Sequence, residues 1–170
     1  MELDLFSASG FEFLIRWIHF LAGITWIGIL YYFNFIQGAF LNEVEAGTKT
    51  DVTTKLLPRA LWWFRWGAMI TIISGLIMYF MKMNAVGSDL FFSSSYGVSI
   101  SIGGLMGLIM WFNVWFIIWP NQKVIMAAAG GASVEVGNRP RVAFLASRTN
   151  TMLSIPMLFF MAAASHMPWG

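Results

Sequence analysis

Four long stretches without a charged side chain, 17–42, 66–81, 90–122 and 149–170, set the terms on which this chain can fold. About 20 apolar residues, rising about 1.5 Å each along a helix, cross the hydrocarbon core of a bilayer. Three of the stretches meet that length, and the second meets it once Arg65 lies within its first turns. The expectation is an all-α, integral membrane four-helix bundle. It forms a single transmembrane domain over 1–170, with helices at about 10–40, 57–81, 96–119 and 139–167. Its core is the bundle interior, and lipid solvates the outer faces.

Composition removes the soluble classes, with 58% hydrophobic and only 11% charged residues. There is no cysteine, which excludes disulfides, thiolate metal sites, iron–sulfur clusters and a covalently attached c-type haem. A net charge of +2, with the basic residues in loops, gives no support for nucleic-acid binding. The acidic start, MELDLFSASG, leads into a segment too long for a signal-peptide core and reads as mature protein.

Local signals divide the chain. Ser9-Gly10-Phe11-Glu12 has capping-box spacing and predicts a first helix from Gly10. NEVEAGTKTDVTTK has no apolar period and reads as a polar loop, after which Pro58 opens the second helix. That helix carries Gly67, Thr71 and Gly75 at i, i+4, i+8, and the third carries Gly103-x-x-x-Gly107; such small-residue faces admit a second helix closely. Lys82 to Ser95 reads as a Gly/Ser-rich hairpin connection. Trp111, Trp115 and Trp119 form a stripe of the kind found at membrane interfaces, and Pro120 ends or kinks the third helix. Asn138-Arg139-Pro140 opens the fourth, with a kink expected at Pro156.

Four basic residues (Lys49, Lys55, Arg59, Arg65) lie in or beside the first connection and four (Lys123, Arg139, Arg141, Arg148) in or beside the third. The positive-inside rule therefore places both termini on the outer side. The expected setting is a bacterial inner membrane.

The chain has two histidines, His19 and His166. With outside termini, both fall in the outer leaflet, and the fourth helix can neighbour the first. An imidazole in lipid needs a partner, a cavity or a cofactor. Arg16, His19, Gly23 and Trp26 share one face of the first helix, and Ala162 and Ala163 precede His166 by one turn. Two imidazoles on facing helices, flanked by residues too small to fill the space, suit a b-type haem. In this reading His19 and His166 are the metal ligands and Arg16 pairs with a propionate. Gly23 and Ala162 admit the macrocycle, with Trp26 beside it. Met161 or Met167 is an alternative axial ligand, and a hydrogen bond to a neighbouring helix is the alternative for each histidine. A bare zinc or copper ion with two nitrogens would be under-coordinated. Asn34, Asn113 and Asn150 read first as interhelical hydrogen-bonding residues and second as a quinone or small-molecule site.

RWIHFLAGITWIGILYYFNFIQ, WWFRWGAMITIISGL, MWFNVWFIIWPNQKVI and ASRTNTMLSIPMLFFMAAASHMP resemble the membrane domain of bacterial cytochrome c-linked urate oxidases (PuuD-type urate hydroxylases). The resemblance implies a membrane-embedded module of a redox system. Full-length members carry a longer membrane domain and a C-terminal cytochrome c, whose C-x-x-C-H is absent here. The R-x-x-H…W-x-G pattern of the first helix is also similar to that of the HemJ-type four-helix, haem-b protoporphyrinogen oxidases. The leading expectation is a haem-b electron-transfer protein in the lipid bilayer, a subunit or partner of other membrane redox subunits or a cytochrome. The alternatives are a membrane oxidase acting on urate or a porphyrinogen, and a scaffold subunit without cofactor.

Overall fold

The computed structural model describes residues 7–166, and every regular element within them is a helix. In chain order the helices are α1 (Ala8–Glu43), α2 (Ala46–Val86), α3 (Ser88–Ser93), α4 (Ser95–Ala129) and α5 (Arg139–His166). Of these, α1, α2 and α4 are long and apolar enough to cross a membrane.

The helices run further than the apolar pattern predicts. α1 begins after Ser7, whose hydroxyl accepts from the Gly10 amide at 3.1 Å, so the cap is Ser7 and not Ser9. The polar stretch after α1 is not a loop. Only Val44 and Glu45, both extended, interrupt the helix, and α2 starts at Ala46. Thr50, Thr53 and Thr54 bond carbonyls four residues back, and Lys55 pairs with Asp51 at 2.6 Å. Contacts at helical spacing hold a helix that has no apolar face to bury. α2 likewise continues to Val86, where Gly87 at φ +85° turns the chain into α3. Neither Pro120 nor Pro156 ends its helix. A π-helical turn, Asn113–Ile118, precedes Pro120 and offsets the backbone ladder where the missing N–H would break it.

Helices α1 and α2 pack antiparallel. A Cβ on Gly67 would lie 3.3 Å from Ala22 O and Trp26 N, one on Gly23 3.9 Å from Thr71, and one on Gly75 3.0 Å from the His19 ring. α4 and α5 make the second close pair, with Gly103 against Met157, Phe160 and Met161. Tyr79–Ser101 (2.9 Å) ties α2 to α4, while Tyr31–Ser154 (2.9 Å) and Asn34–Ser147 (2.8 Å) tie α1 to α5. The core between them is centred on Trp26, Leu30, Phe64, Met110 and Val114. The outward faces carry Phe20, Ile24, Leu105, Phe116 and Ile155, all well exposed, an apolar surface that suits contact with lipid.

The intramembrane amides do the bonding read for them. Asn150 is fully buried, donates to Met110 O at 2.9 Å and accepts from Asn113 Nδ2 at 2.8 Å. Asn150→Leu should leave the Asn113 amide without its acceptor and lower stability by about 0.6–1.7 kcal/mol, the range for interhelical hydrogen bonds in membranes. Thermal unfolding in detergent reads this, and an unchanged midpoint would show that the pair contributes nothing.

Candidate functional site

The His19 ring leans on α2 where Gly75 leaves room for it. Its Nδ1 lies 2.9 Å from Thr71 O and 3.2 Å from Ser74 Oγ. A carbonyl only accepts, so Nδ1 carries the proton. The Ser74 hydroxyl donates to Ile70 O at 2.6 Å, which leaves its oxygen to share the Nδ1 proton. The tautomer is thereby fixed, and Nε2 keeps its lone pair. Among the described residues no side chain or backbone group bonds Nε2. A ring nitrogen oriented by a carbonyl on its far side is the arrangement that metal-ligating histidines use.

His166 repeats the chemistry without the burial. Its Nδ1 lies 3.1 Å from Ala162 O, one turn back on α5, and the side chain is exposed. The connections Gly75–His19, Tyr79–Ser101 and Gly103–Met161 place both imidazoles toward the same end of the helices. They share no bonding partner: His19 is held by α2, His166 by its own helix.

The other predicted site residues are placed as follows. Arg16 is exposed and pairs with Glu12 at 2.6 Å. The gap at Gly23 faces Thr71 across the α1–α2 contact, and Ala162 is exposed beside His166. Trp26 is 1% exposed in the core, and its Nε1 has no acceptor among the described residues. Met161 packs over Gly103, while Met167 lies outside the described residues. Among the described residues no group of three or more His, Asp or Glu side chains is placed to hold a metal ion.

The bond of His19 to a neighbouring helix is the alternative read from the sequence, but the residues of its cradle are not: Thr71 and Gly75 read as helix packing, and Ser74 carries no reading of its own. The available signal was Thr71 and Ser74 together, two hydroxyls on consecutive turns of an otherwise apolar helix.

The fold and the His19 site define an all-helical protein with three helices suited to a membrane and one oriented imidazole. The family described as urate oxidase N-terminal matches residues 80–170, a little over half of the chain, and the chain belongs to that family. The matched region contains α4, α5 and His166; His19 lies before it. No curated protein and no solved structure matches the chain significantly.

Proposed function

We propose that the chain is a membrane-embedded redox module of a urate-related system, and that it holds a b-type haem through His19 as it relays electrons to a partner subunit or a cytochrome. The observation that carries this reading is the His19 geometry: Nδ1–H committed to Thr71 O, Nε2 unbonded among the described residues, and the ring seated over Gly75. Such a ring fits an axial ligand. A bound haem supplies one-electron chemistry between two iron states.

His166 is the proposed second ligand. Its donor atom suits the role, since Nδ1 is also committed to a carbonyl. His166 is exposed, so the proposed group would sit at the edge of the helices and not in their core. Arg16 stands one turn from His19 as the proposed propionate partner, although Glu12 already offsets its charge. The family membership supports a urate-related redox role. Oxidation of urate or a porphyrinogen by this chain itself is the second reading, favoured by the same match; turnover of either substrate by the purified protein distinguishes it from a pure relay.

The test is an absorption spectrum of the detergent-solubilised protein from haem-replete cells. A Soret band with a sharp reduced α-band supports the relay. A folded protein without one leaves a scaffold subunit whose His19 merely bonds Thr71.

The proposed topology has four crossings, with α5 as the fourth and both termini outside. With no native cysteine, single cysteines at Ser7 and Thr48 report the two sides without background. They should label from opposite faces of intact cells, and labelling of both from outside would overturn the orientation.

A further inference from the structure

At the end of the helices away from His19, Arg65 of α2 has no carboxylate partner among the described residues. Its guanidinium carbon lies 4.0 Å from the centre of the Trp119 ring, 4.9 Å from Trp115 and 5.9 Å from Trp66. Stacking on indoles satisfies the faces of a guanidinium and leaves its edge donors to find an acceptor. Arg65 Nε is buried without one, and so is Trp115 Nε1 beside it. A second cation converges on the same ring: Lys123 Nζ lies 5.7 Å from the centre of Trp119. The ion pairs among the described residues are Arg16–Glu12 and Lys55–Asp51, so neither Arg65 nor Lys123 is neutralised. Two like charges on one indole, with buried donors unfilled, call for an anion between them.

We propose that Arg65, Lys123, Trp115 and Trp119 form a binding site for the phosphate of an anionic phospholipid headgroup. Phosphate suits the donors, since arginine grips it through its fork and lysine adds a point charge. The surroundings favour lipid over a soluble anion. Trp62, Trp63 and Trp66 are exposed around Arg65, and exposed indoles gather at the headgroup level of a bilayer. A phosphate at that depth belongs to a lipid already in contact with the neighbouring apolar faces. The site lies on the side rich in lysine and arginine, where anionic lipids attract basic segments.

Native mass spectrometry of the detergent-released full chain, offered equal amounts of phosphatidylglycerol and phosphatidylcholine, tests the assignment. The wild type should retain phosphatidylglycerol several-fold over phosphatidylcholine. Arg65→Gln and Lys123→Gln should each reduce that preference several-fold, while Lys49→Gln, on the exposed polar turns of α2, should keep it. Lys123 is an exposed side chain, so its variant reports on binding even where Arg65→Gln fails to fold. Equal retention of the two lipids by the wild type overturns the proposal, as does the same loss in Lys49→Gln. Displacement of phosphatidylglycerol by millimolar inorganic phosphate would overturn the assignment to lipid.

Discussion

His19→Ala is expected to remove the Soret band completely from protein purified out of haem-replete cells. The imidazole is the proposed ligand whose geometry is prepared before any iron arrives. Thr71 O and Ser74 Oγ hold Nδ1 from one side, Gly75 leaves space for the ring, and Nε2 remains unbonded. Alanine removes the donor atom and little else. Ser74 keeps its bond to Ile70 O, and no buried charge is left behind, so the helices should stay folded. His166→Ala should have a different signature. Loss of an exposed second ligand should leave a five-coordinate, high-spin centre or weaken retention, with His19 still in place. Spectra of the two variants, each checked for helicity by circular dichroism, distinguish the roles. A Soret band that survives both substitutions would mean that the haem has other ligands.

The helices were legible because lipid dictates their length. A backbone that crosses hydrocarbon has to bond to itself, so the long uncharged stretches announce spanning helices before any packing is known; they predict four, and α1, α2 and α4 are long and apolar enough to cross. The ends were less legible, because at Ala46–Leu56 the helix continues into polar sequence on hydroxyl-to-carbonyl bonds and an ion pair. Neighbours were half legible. Gly67, Thr71 and Gly75 announce that a helix comes close, but nothing in their spacing names which one. The reading placed the fourth helix opposite His19, whereas His19 is bonded to α2, and α5 meets α1 through Tyr31 and Asn34, nearer the opposite end. Arg65 was readable only as a topological charge. Its role appears once α4 folds Trp115 and Trp119 over it, a contact between residues about fifty positions apart in sequence. The likeness to urate oxidases holds at the level of the family over residues 80–170.

Gly67→Leu is expected to be severely damaging to the α1–α2 contact. At Gly107 a Cβ would find only Ile72 Cδ1, at 3.7 Å, the flexible end of a side chain. At Gly67 the nearest atoms are Ala22 O and Trp26 N, both at 3.3 Å, and both are backbone. A side-chain end can rotate away, but a helix backbone has to move as a unit. Even alanine at 67 should therefore press α1 outward, while Gly107→Ala should be nearly silent. Leucine at 67 should separate α1 from α2 where Trp26 and Leu30, 1% and 0% exposed, fill the core. Overpacking of this kind costs about 1–3 kcal/mol. One turn along the same interface, the shift should also stretch the His19–Thr71 bond, so haem retention should fall together with the unfolding midpoint in detergent. Gly107→Ala should change neither. A Gly67→Leu protein with a wild-type midpoint would mean that α1 and α2 do not pack in the register described.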